Sequence, residues 1–318
     1  MDSTFVVGID VGGQTSKIGV VNARGTVLAQ TVIRTDTYDQ VEPYIAELAD
    51  AVKKLIAEAG VEGKVRGVGV GAPNGNYYTG TIENAPNLLW GRQRVEFSKL
   101  LSEAMGGLPV ALTNDANAAA VGEMTYGAAR GMKNFIMITL GTGVGSGIVI
   151  NGEVVYGHDG FAGELGHVAA VRNNGRTCNC GKTGCLETYA SATGVARTAR
   201  EWLELTDEPS VLRSLDNIAS KDVYEAAKDG DKLALKIFEF TGKILGRSFA
   251  DFIAFSSPEA IVLFGGLARA KEFLNGPIEE AMNANVLPLW RGKVKIVYSQ
   301  LKESDAAILG ASALAWEL

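Results

Sequence analysis

A chain of 318 residues, 47% hydrophobic and 21% charged with a net charge of −6, has an ordinary globular composition and the length for two domains. It carries no block of like charge and no basic patch, which argues against a sequence-independent nucleic-acid surface, and no run approaches the ~20 apolar residues that span a membrane. The start, MDSTFVVGIDVGG, lacks the basic and apolar regions of an export signal, so the expected location is the cytoplasm.

Three β-branched-rich strands open the chain, over 4–10, 16–22 and 26–34, separated by a Gly-Gly turn and by Ala23-Arg24-Gly25. Apolar residues at helical spacing predict a helix over 41–59, followed by strands at 65–72 and 108–113 and an Ala-rich helix after Asp115. Near Lys133 the opening pattern returns as strands over 134–140, 144–150 and 153–156, with glycines crowding the first turn. Helices follow at about 188–205 and 232–255, then a strand over 260–264, a helix, a strand over 294–298 and a terminal helix from about 304. The repeated strand–turn–strand–turn–strand unit predicts a duplicated α/β chain with one glycine turn of each copy facing a cleft. Glycine, at 39 residues against an average near ~7%, is expected in such turns and where backbone approaches a ligand.

All three cysteines fall within eight positions, and with His167 they read His-x10-Cys-x-Cys-x4-Cys. His167, Cys178, Cys180 and Cys185 are soft or borderline ligands that suit tetrahedral Zn²⁺, and four protein ligands leave no place for water, so the metal is expected to be structural. Gly181 and Gly184 lie where the backbone must turn sharply around it.

Asp10-Val11-Gly12-Gly13-Gln14-Thr15 follows a strand and leads into another strand, so it is no dinucleotide fingerprint, which needs a helix next. Read as a hairpin whose amides face phosphate oxygens, it places Asp10 to hold hydrated Mg²⁺ and Thr15 to donate a hydroxyl. Leu140-Gly141-Thr142-Gly143-Val144-Gly145 would be the second such turn. Gly265 and Gly266 end a late apolar strand and would let backbone lie close to adenine or ribose. Asn114-Asp115 stands between a strand and a helix, where either residue suits an N-cap. Asp115 alternatively serves as the base for an attacking sugar hydroxyl, a group that phosphoryl transfer requires. Glu164, His167 and Glu187 flank the cysteines, where carboxylates and an imidazole N–H could meet sugar hydroxyls; a surface role for the glutamates is the plain alternative.

These stretches together resemble the ROK family (repressors, open reading frames and sugar kinases) over essentially the whole chain. The carriers are 8–13, 114–117, 140–145, 162–167 and the run Cys178-Asn179-Cys180-Gly181-Lys182-Thr183-Gly184-Cys185-Leu186-Glu187. The resemblance implies an actin-like (ribonuclease H-like) duplicated fold with a central cleft. Its smaller domain would take 1–114 plus about 303–318, and its larger one 115–302 with the zinc loop at about 157–187. It further implies ATP with Mg²⁺, structural Zn²⁺, Asp115 as catalytic base, and Asn114, Asp115, Glu164, His167 and Glu187 as sugar ligands. Gly75 and Asn87 are further sugar contacts on the same ground, and Asp10, Gly12, Gly13, Thr15, Gly141, Thr142, Gly143, Gly145, Gly265 and Gly266 would serve the nucleotide. Two positions depart from the pattern: Gln14 stands where the family usually has Thr, and Asn74 where Gly commonly follows Pro73.

A kinase acting on glucose is the leading expectation, with N-acetylmannosamine, N-acetylglucosamine, mannose, fructose or allose as other acceptors and a homodimer or homotetramer as the expected assembly. The rival is a sugar-responsive regulator or sensor. Family repressors place a winged helix-turn-helix ahead of the first glycine turn, and a first strand beginning by Thr4 is expected to leave no room for one.

Overall fold

A computed structural model describes residues 4–318. In chain order the first half forms β1 (Phe5–Val11), β2 (Thr15–Asn22), β3 (Val27–Arg34), α1 (Val41–Glu58), β4 (Val65–Ala72), the short hairpin β5 (Gly75–Asn76) and β6 (Thr81–Ile82), α2 (Phe97–Ala104), β7 (Val110–Asn114) and α3 (Asp115–Tyr126). Next come β8 (Phe135–Leu140), β9 (Val144–Ile150), β10 (Glu153–Val154), α4 (Glu187–Ala190), α5 (Ala192–Leu205), α6 (Ser220–Lys228), α7 (Lys232–Ser256), β11 (Ala260–Phe264), α8 (Lys271–Asn285), β12 (Lys295–Tyr298) and α9 (Glu303–Leu314).

The strands form two five-stranded sheets of matching order, β3-β2-β1-β4-β7 and β10-β9-β8-β11-β12. In the first, β1 pairs antiparallel with β2 and parallel with β4, which pairs parallel with β7. The second likewise sets β8, β11 and β12 parallel and β9 against β10 antiparallel. The chain therefore does repeat its opening unit.

Contacts divide it into two units. The first runs to Met132 and regains Gly147–Gly163 and Ser299–Leu318; the second holds Lys133–Ser146 and Glu164–Tyr298. Helix α3, counted with the second domain on the sequence alone, belongs to the first because it packs on α9. Their contact is tight: a Cβ on Gly122 would stand 2.6 Å from the Cα of Gly310.

In the first unit, α1 turns Tyr44, Ile45, Leu48, Ala49, Val52 and Leu55 inward at helical spacing, onto Val7, Ile9, Ile18, Val68 and Val70 of the sheet. Central β4 is buried from Gly67 onward, as expected of a strand covered on both faces. The covering element on the other face is α9, which reaches the sheet only because small residues admit it. A Cβ on Gly8 would lie 2.1 Å from the carbonyl oxygen of Ile308, and one on Gly69 1.9 Å from that of Ala311.

In the second unit, β8 and β11 are almost wholly buried, and α7 packs on α8 through Gly242 and Gly246. The helix expected over 188–205 is broken at Ser191, whose extended backbone and hydroxyl, accepting from the Gly194 N–H at 2.9 Å, start α5 afresh. Expected strand 153–156 shortens to Glu153–Val154. Helices α2 and α6 were not foreseen from the sequence; both are short. Among the described residues no helix is long and apolar enough to cross a membrane.

Candidate active site

In the first unit the candidate groups stand at the carboxyl ends of parallel strands, the usual ligand edge of an open α/β sheet. Asp10 lies near the end of β1 and Asn114 ends β7. Beyond Asp10 the chain closes its turn by a Gly12 N–H to Thr15 carbonyl bond of 3.0 Å. A Cβ on Gly13 would meet the Asn87 carbonyl oxygen at 2.8 Å, so Asn87 touches the glycine turn through its backbone. Gln14 stands exposed at the tip, its carbonyl held by the N–H of Thr35, and Thr15 begins β2. The amides of Gly13 and Gln14 have no hydrogen-bond partner among the described residues.

Asn114 is the N-cap of α3, its side-chain oxygen accepting the Ala116 N–H at 2.8 Å. The cap is thus supplied by one residue of the pair and the next is released. Asp115 uses Oδ1 on the same N–H at 2.8 Å, leaving Oδ2 for other chemistry. Its side chain is solvent-accessible, yet the protein packed around it desolvates the carboxyl and raises it above the usual carboxylate range. Asp10 is pushed up to about 6, first by burial and then by the Asp115 carboxylate, against the pull of Lys17. Two carboxylates close enough to disfavour each other's charge suit a divalent cation or a proton in transit.

Gly75, expected to touch sugar, is buried in β5 with its Cα against β7: a Cβ would stand 2.5 Å from the Thr113 carbonyl oxygen. Asn74 replaces the family's glycine because asparagine tolerates the left-handed φ of 51° found there. Its amide also donates to the carbonyls of Glu83 and Asn84, each at 3.0 Å.

In the second unit the glycine turn runs from Gly141 to Gly145. The Gly145 N–H donates to Thr139 Oγ1 at 3.1 Å and the Val144 N–H to Glu187 Oε2 at 2.9 Å. The amides of Thr142 and Gly143 have no partner among the described residues, matching Gly13 and Gln14 of the first turn. Consecutive unpaired amides are an anion site in the making. Gly265, with φ 102°, passes so close to this turn that a Cβ would lie 2.6 Å from the Leu140 carbonyl oxygen. Gly266 opens on a cavity of about 280 Å³ lined also by Ser220, Lys221, Tyr224 and Arg269. Nothing in the sequence linked α6 to those glycines, since the contact joins residues some forty positions apart.

The metal ligands do assemble. One donor atom from each of His167, Cys178, Cys180 and Cys185 lies within 4.8 Å of the others. Bonds of about 2.3 Å to sulfur and 2.0 Å to nitrogen give tetrahedral edges of about 3.5–3.8 Å. Cys178 Sγ is 3.7 Å from His167 Nδ1, and Cys180 Sγ is 3.6 Å from Cys185 Sγ. The residues therefore fit Zn²⁺, with His167 Nε2 left over. Gly181 (φ 87°) and Gly184 (φ 79°) make the expected sharp turns.

Arg176, nearly buried, ties the loop to α5. It reaches Glu201 Oε2 at 2.5 Å and Thr198 Oγ1 at 2.9 Å, and sits 4.5 Å from the Tyr189 ring centre. Glu164, exposed, precedes the short turn Leu165–His167, and the Leu165 N–H binds Ser146 Oγ at 3.0 Å.

Residues 6–317 match the ROK family. The chain belongs to that family. Among its ROK relatives, a glucokinase of Halalkalibacterium halodurans is 38% identical over 315 residues, 98% of this chain and 94% of that one. The structure of a ROK glucokinase from Streptomyces griseus, in complex with glucose and AMPPNP, is 32% identical with a TM-score of 0.79, covering 99% of this chain and all of the other. A ROK transcriptional regulator, homologue of the E. coli MLC protein, is 28% identical with a TM-score of 0.88, covering 99% of this chain and 78% of its own. The actin-like fold expected of a ROK chain is thus the fold found.

Proposed function

We propose that this ROK chain is an ATP-dependent hexose kinase, with glucose as acceptor at its primary hydroxyl and Asp115 as general base. The observation that carries the reading is the released carboxylate of Asp115. Asn114 satisfies the helix start, and Asp115 Oδ2 stays available beside a sheet edge where Asp10 waits for a cation. Identity of 38% to a glucokinase along nearly the whole chain supports glucose as the acceptor.

Asp115 accepts the proton as the hydroxyl attacks, and its raised affinity for that proton makes it a better base than a solvated aspartate. The unpaired amides of Gly13, Gln14, Thr142 and Gly143 receive phosphate oxygens, with Thr15 and the remaining turn glycines shaping those turns. Asp10 would hold the nucleotide's Mg²⁺, which supplies charge neutralisation at the phosphates. Gly265 and Gly266 lie along the base or ribose. Asn114, Glu164, His167 Nε2 and Glu187 orient sugar hydroxyls, and Gly75 lends backbone shape to that site. Zn²⁺ on His167, Cys178, Cys180 and Cys185 supplies rigidity and no open coordination place. The cytoplasmic location and a homodimeric or homotetrameric assembly complete this reading.

Adding hexoses and N-acetylhexosamines one at a time with MgATP and following ADP release tests it. Glucose should give the highest kcat/KM; an N-acetylhexosamine in that place would replace glucose as the substrate. The likeness to a regulator supports a second reading, a sugar sensor without turnover. In that case sugars would bind while none released ADP.

A further inference from the structure

The segment that follows the last cysteine grips the second glycine turn at three successive points. The Ala192 N–H donates to the Gly141 carbonyl at 2.8 Å, and Thr193 Oγ1 donates to the Thr142 carbonyl at 2.8 Å. Glu187 Oε2 accepts the Val144 N–H at 2.9 Å. The carboxylate lies so close under the turn that a Cβ on Gly143 would come within 2.3 Å of Oε2, which explains a glycine there without any left-handed backbone. Its other oxygen, Oε1, is 3.9 Å from Cys178 Sγ. Glu187 also opens α4 two residues after Cys185, so the metal loop fixes where its carboxylate stands.

This grip explains which amides the turn leaves open. Val144 and Gly145 have their N–H groups spent on Glu187 and Thr139, and the two before them are unspent. An anionic acceptor on Val144 holds that amide, leaving the two unspent amides to define the anion site.

We propose that Glu187 and Thr193 are positioning residues of the phosphate-donor turn, so that the segment behind the metal cluster sets affinity for the nucleotide as well as for the sugar. The proposal rests on the kinase reading above. Thr193 separates the two effects, since its hydroxyl is spent on the turn and bonds to no metal ligand or sugar candidate among the described residues.

Binding of MgAMPPNP, measured by calorimetry on the zinc-loaded protein, tests this without turnover. Thr193→Val should weaken nucleotide binding about three- to tenfold, the worth of one hydrogen bond, with glucose affinity unchanged. Glu187→Ala should weaken it about tenfold or more, and Glu187→Gln, which keeps an oxygen for the Val144 N–H, should recover most of that loss. Thermal unfolding of each variant establishes that it is folded. Unaltered AMPPNP binding in both Thr193→Val and folded Glu187→Ala overturns the positioning role alone. An unmodified protein that binds glucose but no MgAMPPNP overturns the kinase reading and this proposal with it.

Discussion

Asp115 sits in the first turn of α3, where Asn114 already provides the cap, so its carboxylate is not needed to begin the helix. Replacing it by Asn keeps size and hydrogen bonding while removing the base. Asp115→Asn should therefore cut turnover about 10²- to 10⁴-fold with sugar binding little changed and a melting temperature no lower than the parent's at pH 7.5; near-normal turnover would return Asp115 to a structural role. Asp10 is raised by burial as well, and here the stability consequence can be followed with pH. Its carboxyl titrates at about 6 when folded and near ~3.9 in an unfolded chain, so between those values the folded state holds more protons. Stability contributed by this group therefore falls as pH rises through that window and stays lowered above it. Asp10→Asn removes the penalty: the ligand-free variant should melt several degrees higher than the parent at pH 7.5, with the gain vanishing near pH 4, while catalysis is lost. A gain equally large at pH 4 would mean that burial of the Asp10 charge is not its cause.

At the scale of elements, two close approaches govern what the sequence can tolerate. Helix α9 lies on β1 and β4 at backbone distance, so Gly69→Ala must push a strand and a helix apart. Chemical denaturation should show a loss of about 1–3 kcal/mol, the usual range for overpacking, and an unchanged midpoint would mean the helix yields freely. The metal loop is the second. Cys180→Ser should lose zinc, measured by elemental analysis of the purified protein, and weaken glucose and AMPPNP binding together, because His167, Glu164 and Glu187 all hang on that loop. Arg176, through Glu201 and Thr198, should keep the loop attached to α5, so the variant is expected to fold. The ligand set was legible because its spacing is local: four donors inside nineteen positions leave few alternatives. The bond from Glu187 to Val144 was not legible, since it spans 43 positions and no periodicity encodes it. Ser191 likewise hid in a helical pattern, although serine is a good cap, because apolar spacing continues on both sides of it.

Across the whole molecule, the duplication was readable because glycine turns and β-branched strands recur in the same order, and the two sheets bear it out strand for strand. What pattern could not settle was where α3 belongs. Small residues make that helix ambiguous on the sequence alone, and its place in the first unit follows from Gly122 meeting Gly310 in a helix nearly two hundred positions away. The site was legible as a set of residue types: the four metal-ligand candidates come within reach of one another, Asp10 and Asp115 influence each other's charge, and each glycine turn leaves two amides unpaired among the described residues. The departure at Asn74 became intelligible only with its backbone angle and hydrogen bonds in hand, while the structure gives no reason for Gln14. The most direct test of the central claim is ADP release from MgATP with glucose, run on the unmodified protein and on Asp115→Asn side by side. Glucose-dependent release that falls at least about a hundredfold in the variant is the expected result. Release no greater with any hexose than without one would contradict it.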